Sequence, residues 1–281
     1  MSEILRVTAS MDKDLFSLKD RIVVVTGGMG QLGQQYAGAL LDYGARVAIL
    51  DVEPRTSHLN ERVVAHTEDT LISLRADVTS KDSLEAARSE IERLWGVPHA
   101  LVNNAALDSA PDSPDQENGP FESYPESSWN AVMRVNVTGV FLCCQTFGAQ
   151  MAEAGRGSIV NICSIYGLVS PDQRIYTYRG TEGQPFYKPI AYSASKSALL
   201  NLTRYLATYW ADRNVRVNTL TLGGVFNSQD RRFLEGYCAR VPLGRMAQEN
   251  EYNGALIFLL SDASSYMTGS NLLVDGGWTA W

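Results

Sequence analysis

The chain of 281 residues predicts an α/β fold: a doubly wound parallel sheet of about seven strands with helices on both faces. Three observations carry that expectation. From Arg21 onward, short β-branched runs alternate with longer stretches of helical periodicity, the pattern of parallel strand–helix–strand units. The runs are apolar almost throughout, as strands buried on both faces must be. A glycine-rich turn joins the first run to the first helical stretch.

The runs fall at Ile22–Val25, Val47–Leu50, Leu71–Leu74, Ala100–Val102, Ile159–Ile162, Val215–Leu220 and Leu272–Val274. Between them, Leu84, Ala87, Ile91 and Leu94 repeat at helical spacing after a capping start at Thr79 and Asp82. Ala198, Leu199, Leu202, Tyr205 and Leu206 repeat in the same way. No repeat, glycine-serine linker or composition shift divides the chain, so one domain over residues 1–281 is expected. Two polar inserts interrupt the alternation. Residues 106–126 carry Asp108, Asp112, Asp115, Glu117, Glu122 and Glu126 with no Lys or Arg, and residues 171–190 carry Arg174, Arg179 and Lys188 among Tyr176, Tyr178, Phe186 and Tyr187. Both follow strands at their carboxyl ends, where open parallel sheets bind ligands, so both are expected to wall a substrate pocket.

The composition, 45% hydrophobic and 20% charged, is that of a globular chain with a large core. Lys and Arg number 24 against 31 Asp and Glu, and the net charge of -7 argues against nucleic acid as a partner. Cys143, Cys144, Cys163 and Cys238 lack the spacing of a disulfide framework and read as reduced thiols. His58, His66 and His99 form no HxxxH pattern and the cysteines no CxxC, so no metal is expected. No run approaches the ~18 apolar residues of a membrane span, and Met1 to Asp20 scatters charge through any signal core. These readings predict a cytoplasmic protein away from the membrane.

Thr26-Gly27-Gly28-Met29-Gly30-Gln31-Leu32-Gly33 follows the first run and opens a helix through Gln34, Tyr36, Ala37 and Leu40. Glycines let a pyrophosphate approach the backbone, and the free N–H groups and dipole of the helix start favour its charge. The next run ends in Asp51, eighteen positions after Gly33, where a carboxylate would accept from both adenosine ribose hydroxyls and repel a 2'-phosphate. NAD is therefore the expected cofactor, although Arg55 lies close enough to receive that phosphate.

Tyr192 and Lys196 stand four residues apart at a helix start, on one face. With β-carbons about 6 Å apart, Coulomb attraction at an effective dielectric near 20 is roughly 2.8 kcal/mol, which would lower the phenol from about 10 to about 8. Such a phenol would exchange protons with an alkoxide near neutral pH. Ser164 ends the run Ser158–Cys163, at the ligand-binding edge, and Asn136 is a poor helix former among apolar neighbours in the stretch Trp129–Cys144. Water or backbone at Asn136 would link Lys196 to solvent.

With these residues the chain resembles a short-chain dehydrogenase/reductase of the compact single-domain kind, from about Leu18 to Gly277. The matching pieces are the glycine turn, Asp77-Val78, Asn103-Asn104-Ala105-Ala106, Asn136, Ser164, Tyr192 with Lys196, and Ser261-Asp262 through Val274-Asp275-Gly276-Gly277. The resemblance implies a Rossmann-type sheet and a catalytic tetrad of Asn136, Ser164, Tyr192 and Lys196. It also implies that Gly27, Gly30, Gln31, Leu32 and Gly33 seat the cofactor, that Asp77 and Val78 hold adenine, and that Asn103 and Ala105 line its cleft. Lys196 beside Tyr192 would hold the nicotinamide ribose, with Gly223 and Val225 in the nicotinamide loop.

Three features depart from the family pattern. Glycines at 27, 30 and 33 follow the spacing of its extended branch. Leu222 and Asn227 replace the usual proline and threonine, predicting a looser nicotinamide loop, and the 171–190 insert widens the Ser164–Tyr192 separation, so it must loop out.

The resemblance implies a secondary alcohol exchanging with a ketone. Aromatic faces with Arg174, Arg179 and Lys188 suit a sugar-like substrate, phosphorylated or not, unless they serve only to pack the insert. The ending Asp275–Trp281 and the run Pro242–Met246 are similar to short-chain enzymes of bacterial surface-sugar gene sets. A 3-oxoacyl-thioester reductase and a non-catalytic NAD-binding module are the alternatives. A homotetramer or dimer is implied, built on the helix around Trp129–Met151 and the helix after Tyr192, with Trp278 and Trp281 too apolar for a free tail.

Overall fold

The computed structural model describes residues 14–54, 59–66, 69–109, 115–181 and 183–281. The readings of Arg55, His58, Asp112 and the stretch before Asp14 lie outside the described residues. β1 (Ile22–Thr26), β2 (Arg46–Asp51), β3 (Leu71–Arg75), β4 (Ala100–Asn103), β5 (Gly157–Ser164), β6 (Val215–Leu222) and β7 (Asn271–Val274) form one sheet. Their order is β3-β2-β1-β4-β5-β6-β7, with every neighbouring pair parallel.

The chain winds outward from β1 to β3, then returns across β1 to β4 and winds the other way. The strand order therefore reverses between β1 and β4, and a crevice opens at their carboxyl ends. Val23, Val24 and Val25 are fully buried because helices cover both faces. On one face Tyr36, Leu40 and Leu256 pack against Val25 and Ile49; on the other Leu84, Ile91, Phe147 and Met151 pack against Val24 and Leu101. Asn103, Asn161, Thr203 and Thr219 cross this second face as a buried chain of hydrogen bonds, with spacings of 2.8, 2.9 and 2.8 Å.

The helix Lys81–Trp95 starts one residue from the expected cap. Ser80, rather than Thr79 or Asp82, accepts the Ser83 N–H through its side chain, because Thr79 is held in the preceding turn by the Asp77 carboxylate. Leu94 lies on its exposed side, at 42% exposure, so only Leu84, Ala87 and Ile91 supply the buried stripe. No helix among the described residues is long and apolar enough to cross a membrane, and all four cysteines are free.

A third apolar cluster sits at the carboxyl edge and contains Tyr166, Ile175, Tyr176, Tyr237 and Trp278. Trp278, too apolar for a free tail, is buried within the chain itself, its ring 4.4 Å from that of Tyr237, whereas Trp281 stands out. Asp275 fixes this ending by accepting from the Gly277 N–H and from both the N–H and hydroxyl of Thr279. Trp278→Ala is expected to cost about 3–5 kcal/mol, the usual toll of emptying a buried aromatic site. Chemical unfolding and near-ultraviolet dichroism check this; a loss below about 1 kcal/mol would show that the cluster holds nothing together.

Candidate active site

The glycine turn sits at the mouth of the crevice. Gly27 has φ +61, and a Cβ there would stand 2.7 Å from Ala105 Cα; a Cβ on Gly33 would stand 2.3 Å from the Gly27 carbonyl oxygen. Bare backbone is thus required where the turn, the loop after β4 and the start of α1 (Gln31–Asp42) meet. Gly30 caps α1 without a side chain, leaving the first-turn N–H groups open to an anion. Asn104 holds the turn by donating to the Thr26 and Gly27 carbonyls, while Thr26 Oγ1 accepts from the Asn104 and Ala105 N–H groups. Half-buried Asp51 accepts from the Met29 and Glu53 N–H groups, so its carboxylate is fixed beside the turn.

Asn103 is placed differently from the expectation. Its side chain turns into the sheet, where it donates to Asn161 and Cys144, and it is Asn104 that lines the crevice. Val78 is buried against Gly139, and the Asp77 carboxylate is engaged with Thr79.

The helix Ile190–Tyr209 carries Tyr192 and Lys196 to the end of β5. Lys196 is 4% exposed; its Nζ donates to the Ile162 carbonyl at 2.9 Å and lies 5.8 Å from the centre of the Tyr192 ring. Ser164 and Tyr192 line the same cleft, with the Ser164 hydroxyl near enough to act on the Tyr192 phenol, so the insert does loop out. Asn136 lies on a π-helical turn, Arg134–Gly139. Its amide exchanges hydrogen bonds with the Leu107 N–H and carbonyl and donates to Ser195 Oγ, which donates to the Tyr192 carbonyl. Asn136 therefore ties the β4 loop to the Tyr192 helix through Ser195.

Ser164, Tyr192 and Lys196 open onto a cleft of about 540 Å³ that Asp108, Arg179 and Lys188 also line. The second insert folds as a 3-10 segment, Gln173–Arg179, whose Tyr176 packs on Phe233 and shares a hydrogen bond with the Tyr166 hydroxyl. Arg179 lies over the Phe186 ring at 4.0 Å, whereas Arg174 turns outward and pairs with Asp172. Lys188 pairs with Asp108, joining the two inserts. The loop after β6 is held rather than loose: the Gly224 N–H donates to Tyr237, Tyr252 donates to the Gly223 carbonyl, and Gln229 donates to the Val225 carbonyl. Tyrosines do there what a proline would do by restricting the backbone.

A model of short-chain alcohol dehydrogenases, described as enoyl-(acyl carrier protein) reductase, matches residues 29–279. The chain belongs to the short-chain dehydrogenase/reductase family. A D-arabinitol 2-dehydrogenase (ribulose-forming) from Scheffersomyces stipitis is 32% identical over 288 residues, covering 95% of this chain and 96% of that protein. The solved short-chain dehydrogenase from Leptospira borgpetersenii with bound NAD+ is 32% identical with a TM-score of 0.82, covering 95% and 96% of the two chains. A gluconate 5-dehydrogenase from Burkholderia cenocepacia, in complex with NADP and tartrate, is 28% identical with a TM-score of 0.81, covering 95% and 98%. The short-chain dehydrogenase is an NAD(P)-dependent oxidoreductase acting on CH–OH groups.

Electrostatics in this dehydrogenase run opposite to the expectation for Tyr192. Burial pushes the phenol above its ordinary value, and the Asp108 carboxylate pushes it further, while the Ser164 hydroxyl works the other way. Burial also lowers the Lys196 ammonium to about 8, against the pull of Cys163 and Asp108. The expected drop of the phenol considered only the attraction of its lysine and omitted the desolvation that both groups suffer. The sequence reading also passed over Asn104 and the pairing of Asp108 with Lys188. The facing charges of the two inserts, one purely acidic and one rich in cations, were the available signal for that pair.

Proposed function

We propose that this dehydrogenase interconverts a secondary alcohol and a ketone on a polyhydroxylated, sugar-like substrate and uses NAD. The carrying observation is the meeting of Ser164, Tyr192 and Lys196 at one cleft whose other wall is the charged, aromatic insert. Ser164 would hold the substrate oxygen while Tyr192 gives or takes its proton; Lys196 would steady the phenolate and grip the nicotinamide ribose. Asn136 completes the tetrad as a positioning residue through Ser195. When bound, the dinucleotide supplies the hydride exchange.

Gly27, Gly30, Gln31, Leu32 and Gly33 fit a pyrophosphate, because bare backbone and uncapped N–H groups meet there. Asp51 would accept from the adenosine ribose, with Asp77 and Val78 at the adenine and Ala105, Gly223 and Val225 toward the nicotinamide. A 2'-phosphate beside Asp51 would meet a carboxylate already fixed by two N–H groups, which supports NAD over NADP. Phe141, Tyr205 and Tyr209 leave apolar surface exposed on the 126–153 and Tyr192 helices, which supports a homodimer or tetramer.

The description of the matched family model favours a carrier-protein thioester as second reading. The acidic Asp108 and Glu122 beside the openings count against an acidic carrier.

Tyr192→Phe is expected to retain NADH binding and to lose at least about a hundredfold in kcat across sugar alcohols and their ketones. Faster turnover of acyl thioesters than of polyols would overturn the substrate class. Because the phenol titrates above its ordinary value, its acid form prevails at neutral pH. Ketone reduction should hold through neutrality, while alcohol oxidation should climb on the alkaline side; a plateau of oxidation already on the acid side of neutrality would contradict this. Asp51→Ser should raise the NADP-to-NAD ratio of kcat/KM about tenfold or more, roughly 1.4 kcal/mol. An unchanged ratio would remove Asp51 from cofactor choice. Light scattering should return a multiple of the chain mass, and a monomer at micromolar concentration would contradict the assembly.

A further inference from the structure

Lys188 and Asp108 come from different inserts and meet in the cleft that holds Ser164 and Tyr192. The lysine side chain is only 14% exposed and the aspartate 60%, so the ammonium lies deep and the carboxylate toward the mouth. The ammonium is 5.3 Å from the centre of the Tyr192 ring. Its backbone is clamped: the Lys188 N–H donates to Gln173 Oε1 at 2.8 Å, and the neighbouring Tyr187 N–H donates to the Asn118 carbonyl at 2.8 Å. A surface ion pair adds little to stability, so holding a lysine below the surface beside the proton-transfer tyrosine calls for another use.

The pair offers a fixed donor beside a fixed acceptor. A hydroxyl uses both, donating to the carboxylate and accepting from the ammonium. A carboxylate substrate group would use only the ammonium and be repelled by Asp108, and an alkyl group would leave both charges without a substrate partner. Because the ammonium stands over the ring of the tyrosine proposed to handle the reacting oxygen, the substrate groups within its reach are those close to the reacting carbon.

We propose that Asp108 and Lys188 read the hydroxyl on the carbon next to the reacting one, making the dehydrogenase selective for neutral vicinal diols. This rests on the alcohol–ketone reading and adds the residues that choose the substrate. The same pair sets the proton balance at Tyr192, which faces Asp108, Lys188, Lys196, Cys163 and Tyr166. Loss of the carboxylate alone favours phenolate, and loss of the ammonium alone disfavours it.

The experiment compares kcat/KM for butane-2,3-diol and butan-2-ol at saturating NAD in the wild type, Asp108→Asn, Lys188→Met and Lys188→Arg, each across pH. The wild type is expected to prefer the diol about tenfold or more. Asp108→Asn and Lys188→Met should bring the ratio near unity, while their alkaline oxidation limbs move in opposite directions, down for the first and up for the second, by about one pH unit. Lys188→Arg should keep the limb and recover part of the preference. NADH fluorescence and melting temperature identify any variant that is merely unfolded. Variants that lose both alcohols equally, with unmoved limbs, would reduce the pair to a structural strap and overturn the proposal. Equal use of both alcohols by the wild type overturns it while leaving the alcohol–ketone reading intact. Absence of turnover on these and on a polyol panel, with either dinucleotide, overturns both.

Discussion

The site depends on a lysine ammonium kept almost out of water. Taking such a charge from solvent costs several kcal/mol unless polar groups replace its hydration. Lys196 has the Ile162 carbonyl at 2.9 Å, and that carbonyl belongs to β5, so the lysine works only if its helix is held hard against that strand. Gly167 permits the approach: a Cβ there would stand 2.7 Å from Cys163 Sγ and 2.9 Å from the Lys196 backbone carbon. Ser197 then donates to the Gly167 carbonyl and Cys163 to that of Lys196. The segment after β5 is thereby stapled to the helix on both sides of the charge.

The chain of polar side chains through the core fixes the same helix from beneath. Asn103 on β4 donates to Asn161 on β5, Asn161 to Thr203 on the helix, and Thr219 on β6 to the same threonine. Apolar packing alone would allow a helix to slide by small amounts, whereas a buried network pays for any shift with an unmatched polar group. Asn136 adds a third anchor, reaching through Ser195 to the residue that bears the phenol. The π-helical turn around Asn136 puts an amide inward among apolar neighbours, and the Leu107 backbone satisfies it.

Much of the sheet was legible because burial on both faces leaves a simple trace, a run that is apolar almost throughout. All seven runs became strands, each beginning or ending within a few residues of the expected bounds. The glycine turn, Asp51, Ser164 and the Tyr192–Lys196 pair were legible because close backbone approach and helical spacing act locally. Asn103 was misplaced because alternation along a strand end decides which of two adjacent asparagines faces the crevice, and a single residue reverses the answer. The pairing of Asp108 with Lys188, eighty positions apart, depends on how two irregular inserts cross, and neither periodicity nor local spacing encodes that. The phenol's acidity was misread for a related reason: attraction between neighbours four apart is visible in sequence, whereas desolvation belongs to the assembled cleft.

That contrast also explains how chemistry and selectivity divide within the molecule. The groups proposed to move the proton stand on β5 and a long helix, anchored through the core, so their geometry is insulated from what happens at the rim. The charged groups proposed to meet the substrate stand on the two inserts, tied to each other by Lys188 and Asp108 and to the third apolar cluster by Tyr176. The insulation is geometric but not electrostatic. Asp108 acts on both Tyr192 and Lys196 across the cleft, because a water-poor site transmits charge farther than solvent does. Where the inserts choose the substrate as proposed, a change of insert alters proton affinity at the tyrosine together with that choice, and the carboxylate at the mouth couples the two.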